Sequence, residues 1–166
     1  MNTTPNTPNT PNTPNSRPEQ RLDTSDTPDT RVTPAPAIWP GVQAADAPAL
    51  IDFLVGTVGF LRTAVYEDEG RVAHAQLDWP EGGGIMLGSY DPESAATCGK
   101  PGGAGAYIVT AEVDALYRRL TAAGVEITTE IEDKPYGSRE FGIADPEGNR
   151  WSFGTYRGEP RPAPTA

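Results

Sequence analysis

Cysteine and histidine are almost missing from this 166-residue chain, which has one of each, Cys98 and His74, and only two methionines. A lone cysteine excludes an intramolecular disulfide and fits a reducing compartment such as the cytoplasm. Cys98 sits among Gly, Pro and Ala with no neighbouring base to lower its pKa, so the sequence does not read it as a nucleophile. A lone histidine means that any imidazole acid–base step must fall on His74. Hydrophobic runs are short as well. No segment has the ~7–15 apolar residues of a secretory signal or the roughly 20 of a membrane span, so the chain reads as cytoplasmic and free of the membrane. The sequon Asn2-Thr3-Thr4 is therefore not expected to be glycosylated. Basic residues are outnumbered 13 to 23, giving a net charge of −10. Between Ala37 and Arg157 stand 18 acidic and 9 basic residues with no Lys/Arg stripe, which excludes nucleic acid as an expected partner. The remaining readings of this charge are solubility or attraction of a cationic ligand.

The N-terminal stretch, by contrast, is rich in a few residue types. From Thr4 the triplet Thr-Pro-Asn runs four times to Asn15, and Pro, Thr, Asp and Ser dominate to about Pro36. Little there can be buried, and each proline removes a backbone donor, so residues 1–36 are expected to form a disordered tail. A folded domain is expected over 37–157, and a short flexible tail over 158–166.

Within that domain the chain repeats itself. Asp46-Ala47-Pro48-Ala49-Leu50 aligns with Glu112-Val113-Asp114-Ala115-Leu116, and Pro80-Glu81-Gly82 with Pro146-Glu147-Gly148, both at an offset of 66. One offset shared by two separated landmarks implies two copies of one supersecondary unit. Asp46 is a good N-cap for a helix running to Gly56, and Val113, Leu116, Leu120 and Ala123 mark an apolar helix face ending at Gly124. One strand-like segment precedes each helix, 37–43 and 106–110, and three follow it. The expected fold is thus α+β: two βαβββ modules, about 37–88 and 105–155, facing each other across a cleft with pseudo-twofold symmetry.

Against this background the run from Tyr136 to Phe153, with Asp145-Pro146-Glu147-Gly148-Asn149 at its heart, resembles the C-terminal signature of the vicinal oxygen chelate superfamily, in its glyoxalase/bleomycin-resistance branch. Arg71–Leu77 and Gly84–Ser89 look like the matching part of the first module. The resemblance implies a cleft in which metal-dependent members hold a divalent ion with four side chains, from the first and last strands of each module, to stabilise an enolate or oxyanion. Counting from the helices and the Pro-Glu-Gly turns puts those positions at Trp39, Gly105, Met86 and Ser152. None is a good ligand for a hard divalent ion, so no metal or other cofactor is expected.

The remaining candidates have both a binding and a structural reading. His74 and Gln76 share a strand face, and the repeat places Glu140 at the position equivalent to His74. Together they could bind a ligand or move a proton, or they could make ordinary sheet hydrogen bonds. Trp39, Tyr107 and Tyr136 are candidates to line a pocket, and Arg139 is either an anion contact or a solvated residue. The reading is a metal-independent small-molecule-binding protein, homodimeric as many relatives are, with ligand contacts from Trp39, His74, Gln76, Met86, Tyr107, Tyr136, Arg139, Glu140 and Ser152. The alternatives are a metal-dependent lyase or dioxygenase using His74 and Glu140, and a regulatory module with a closed cleft.

Overall fold

A computed structural model describes residues 36–93 and 99–160. The tail up to residue 35 with its sequon, Cys98 and residues 161–166 lie outside the described residues. The first module comprises β1 (Gly41–Ala44), α1 (Ala47–Phe53), β2 (Leu61–Asp68), β3 (Arg71–Asp78) and β4 (Gly84–Ser89). The second comprises β5 (Gly105–Val109), α2 (Val113–Ala122), β6 (Ile127–Asp133), β7 (Arg139–Ala144) and β8 (Arg150–Gly154). The strand orders are β1-β4-β3-β2 and β5-β8-β7-β6, the same in both sheets. In each, the first strand runs parallel to the last, and the other pairings are antiparallel.

Both helices start and stop for local reasons. Asp46 caps α1 by accepting from the Ala49 amide at 3.1 Å. Gly124, at φ +74°, closes α2 where a side chain would be strained. Helix α1 does not simply end near Gly56; it widens into a π-helical turn, Leu54–Val58, in which the Gly59 amide reaches back to Leu54 O at 2.9 Å. Arg119 of α2 donates to the free carbonyls of Thr57 and Val58 at 2.7 and 3.0 Å, tying the turn to the other module.

Alternation along the strands sends Val42, Ala75, Leu77, Ile85, Leu87, Phe141, Ile143, Trp151 and Phe153 into one core shared with the helices. The Phe60 ring packs edge-on against both Trp79 (5.2 Å) and Trp151 (6.2 Å), so aromatic contacts cross the module boundary.

The two repeated sequence landmarks are each other's partners. Glu147 of the second Pro-Glu-Gly turn accepts from the Ala45 and Asp46 amides leading into α1, at 2.9 and 2.7 Å. Glu81 of the first accepts from the Ala111 amide leading into α2, at 3.0 Å. A carboxylate at a helix N-terminus satisfies amides without intrahelical partners and is favoured by the helix dipole. The contact is reciprocal, and its positions obey the 66-residue offset.

The second turn is further braced from beneath. Buried Asp145 accepts from the Glu147 and Asn149 amides at 3.0 and 2.9 Å, from Asn149 Nδ2 at 2.8 Å and from Trp151 Nε1 at 3.0 Å. At the equivalent position the first module carries Trp79, whose Nε1 donates across the boundary to Val109 O at 2.9 Å.

The Thr110 hydroxyl, with the Ala111 amide and Arg157, holds the Glu81 carboxyl below the usual carboxylate range against the opposing effect of burial. A depressed folded value means that Glu81 lends its stability above an ordinary carboxylate pKa of about 4.3 and loses it as pH falls through the lower folded value. Glu81→Gln should therefore destabilise the protein by about 1 kcal/mol at pH 7, and by less at pH 3. Urea unfolding of both proteins at the two pH values checks this; a difference that does not shrink contradicts it. Asp145→Asn sets amide protons against donors in a buried network and should cost about 2–3 kcal/mol in the same assay.

Candidate functional site

The polar faces of the sheets carry the candidate residues. On β1 the face opposite the core presents Gly41 and Gln43, with Trp39 just ahead of the strand. Met86 and Gly88 of β4 and His74 of β3 share it, and together with Ala73 these residues bound a cavity of about 400 Å³. Gly41 and Gly88 are among its lining residues. Trp39 is held at the edge by a hydrogen bond from Nε1 to Pro36 O at 2.9 Å. Its ring lies so close over Gly84 that a Cβ at that position would stand 2.7 Å from it. His74 stacks on Tyr66 with ring centroids 6.1 Å apart and planes at 24°. Gln76 lies opposite Met86 in the sheet, and its amide donates to both Asp78 oxygens, at 3.0 and 3.2 Å. Gln43 Oε1 is buried and has no hydrogen-bond donor.

The second module builds a tyrosine-rich face instead. Tyr107 on β5 shares a 2.9 Å hydrogen bond with Ser138 and accepts from the Tyr156 amide at 3.2 Å. Tyr136 donates to Glu140 at 2.7 Å, and its ring meets that of Tyr156 at 5.9 Å and 74°. The bond to Glu140 pushes the Tyr136 phenol up to about 12. Ser152 is exposed on the same face of β8. Between the modules lies a second cavity of about 350 Å³, lined by Phe60, Trp79, Ile85, Tyr107 and Ile108 among others.

The structure thus groups the sequence candidates by module. Trp39, His74 and Met86 share one cavity, with Gln76 beside it; Tyr107, Glu140 and Ser152 lie on the other sheet, with Tyr136 in the turn before β7. Among the described residues no hydrogen bond or ring contact joins His74 or Gln76 to Glu140. Arg139 belongs to neither face. It points to the helix side, where it pairs with Asp114 at 2.9 Å and Asp133 at 3.2 Å, and the Asp114 bond raises its pKa further.

Met86 lies opposite Gly41 and Ser152 opposite Tyr107, whereas Gly105 lies opposite Arg150 and Trp39 precedes the strand. Neither these paired residues nor the positions counted from the helices fit a divalent ion. Gly41 has no side chain, Met86 offers a soft thioether, Tyr107 is a phenol engaged with Ser138, and Ser152 is a neutral hydroxyl. Among the described residues no three His, Cys, Asp or Glu side chains gather to hold a metal.

Sequence reasoning passed over Gly41 and Gln43. Stepping by two from Trp39 reaches both, because alternate residues of a strand share a face.

Two curved four-stranded sheets of identical order, each with one helix, define a paired βαβββ protein. The model of the glyoxalase/bleomycin resistance protein/dioxygenase superfamily matches residues 38–153, and the chain belongs to that superfamily. An uncharacterised protein of Mycobacterium tuberculosis is 33% identical over 129 residues, 72% of this chain and 74% of its own. TioX from Micromonospora sp. ML1 superposes with a TM-score of 0.60 at 29% identity, covering 69% of this chain and 94% of TioX. TnmS3, an antibiotic binding protein from Streptomyces sp. CB03234, superposes with a TM-score of 0.57 at 26% identity, over 74% of this chain and 98% of its own.

Tyr107 keeps its place because residue 154 is glycine. A Cβ there would stand 2.8 Å from the Tyr107 ring and 2.9 Å from Glu140 Cβ. Gly154→Ala should displace the Tyr107 ring from Ser138 and cost about 1–3 kcal/mol, read as a lower urea midpoint. A midpoint equal to wild type contradicts this packing.

Proposed function

We propose that this protein binds and sequesters a small aromatic or cationic compound without a metal ion, and that it acts as a homodimer. The observation that carries this reading is the character of the polar face. Paired first- and last-strand positions supply no carboxylate or imidazole ligand, while Trp39, His74 and Met86 border a cavity of about 400 Å³. A concave site lined by aromatic and apolar groups with a few polar atoms is the usual form of a small-molecule pocket. The likeness to an antibiotic binding protein supports the same reading.

An aromatic face attracts a cation by roughly 0.5–2 kcal/mol. The net charge of −10 adds a longer-range attraction that salt screens. Dimerisation is supported by exposed aromatic rings: Tyr66 is 63% and Tyr136 57% accessible, and such residues are enriched in interfaces. No helix among the described residues is long and apolar enough to cross a membrane. Cytoplasmic residence is the reading that the single cysteine supports.

Screening planar aromatic cations and cationic glycopeptides by intrinsic tryptophan fluorescence, with and without EDTA, tests the proposal. Binding that survives EDTA, weakens about 2- to 30-fold in Trp39→Ala and falls with added salt is the expected outcome. Gly41→Leu should fill the cavity and abolish binding while leaving the melting temperature near that of wild type. Binding that requires a divalent ion would overturn the metal-independent reading in favour of a metal-dependent lyase or dioxygenase. Light scattering should give a mass of about 35 kDa, twice the 17.6 kDa chain.

A further inference from the structure

An aromatic ring and a carboxylate converge over Gly84 on the polar face of the first sheet. Strand β3 presents His74, Gln76 and Asp78 at alternate positions, and Asp78 lies opposite Gly84. From the point where a Gly84 Cβ would stand, the Trp39 ring is 2.7 Å away and Asp78 Oδ1 is 2.9 Å away, so a side chain at residue 84 would collide with both. Ring and carboxylate are thus close enough for one bound cation to meet both, because cation–π attraction acts within about 6 Å of a ring. Trp39 also borders the 400 Å³ cavity, which places Asp78 just beyond the Trp39 edge of that space.

The protein supplies this carboxylate with hydrogen bonds but no counter-charge. Asp78 accepts from the Thr63 hydroxyl at 2.5 Å and from Gln76 Nε2 at 3.0 and 3.2 Å, and both donors are neutral. Among the described residues no lysine or arginine pairs with it; Arg62 on the adjacent strand pairs instead with Asp52 of α1, at 2.8 Å. Asp78 is half-buried, and a carboxylate has about four lone-pair sites, so it can take a further donor from outside. A partly buried charge without a partner is unfavourable, and an arriving cation relieves the cost. The repeat shows that this arrangement is particular to the first module. At the offset of 66, Trp39, Gly84 and Asp78 become Gly105, Arg150 and Ala144, one cross-strand row of the second sheet with neither ring nor carboxylate and a positive charge at its centre.

We infer that Trp39 and Asp78 anchor the ligand together, the indole meeting its aromatic ring and the carboxylate taking a protonated amine on a short arm. This inference rests on the small-molecule-binding reading and narrows it, from aromatic or cationic compounds to compounds that are both.

Tryptamine and tryptophol share an indole and a two-carbon arm, and end in an ammonium and a neutral hydroxyl respectively. Calorimetric titration of the full chain should show tryptamine binding at least about tenfold more tightly, since hydrogen bonds between charged partners are the strong ones. In Asp78→Asn, which keeps the shape and an acceptor for Gln76, the ratio should fall to near one through loss of tryptamine affinity. Glu126→Gln removes the same charge from an exposed position of the second module and should keep the wild-type ratio, which separates Asp78 from the general field of the protein. A readout without mutation guards against an Asn variant that fails to fold. The Gln76 side-chain amide donates to Asp78, so its NMR signal in wild type should move more with tryptamine than with tryptophol. Equal affinities in wild type, an undiminished ratio in Asp78→Asn, a ratio lost equally in Glu126→Gln, or a Gln76 signal indifferent to tryptamine would overturn the assignment while leaving small-molecule binding intact. If neither compound binds at millimolar concentration the assignment falls, and if the wider fluorescence screen is also empty the binding reading falls with it.

Discussion

Two glutamates hold the halves of this molecule together. Glu147 reaches from the turn before β8 to the amides entering α1, and Glu81 reaches from the turn before β4 to the amide entering α2. Each carboxylate closes a helix start that would otherwise face water, and each does so in the module to which it does not belong. The module boundary is set by this exchange. Phe60, Trp79, Trp151 and Phe153 then fill the space that the two contacts enclose. Asp145 braces the Glu147 turn through four hydrogen bonds, whereas Glu81 is joined by Arg157 at the surface and by buried Thr110.

The same repeat that builds this symmetry has diverged on the polar faces. Position 41 is glycine and its counterpart 107 is tyrosine; position 74 is histidine and its counterpart 140 is glutamate. One sheet consequently keeps a cavity over two glycines, and the other fills its face with tyrosines linked to Ser138 and Glu140. The paired first- and last-strand positions present a glycine opposite a thioether in one sheet and a phenol opposite a hydroxyl in the other. The proposed binding reading relies on recognition by shape, aromatic faces and a small number of hydrogen bonds.

Much of this was legible in the sequence. The offset of 66 identified the modules, and Asp46, Gly124 and the Pro-Glu-Gly turns marked the boundaries of their elements. What the sequence could not show is that the two landmarks touch, because contact between segments about 100 residues apart is a property of packing. The π-helical turn at Leu54–Val58 carries no periodic mark of its own and looks like the end of a helix. Trp39 lies just ahead of β1 whereas Gly105 opens β5, a difference hidden in the sequence because the start of a strand is not fixed by the helix cap that follows it. Gln43 escaped notice for a related reason: an unpaired acceptor is visible only once every neighbour is in place. Arg139 was open to either reading, and its pairing with Asp114 on the facing helix is visible only in the fold.

The chain has two methionines, Met1 and Met86, and the second lines the proposed binding cavity. A spectrum of protein labelled with ¹³C at the methionine methyls therefore reports on that cavity almost alone. If the protein binds its ligand there without a metal, the Met86 resonance will move during titration with any compound that binds, and will move identically in the presence of EDTA. A Met86 signal that stays fixed while a compound binds, or that moves only when a divalent ion is supplied, would contradict the account.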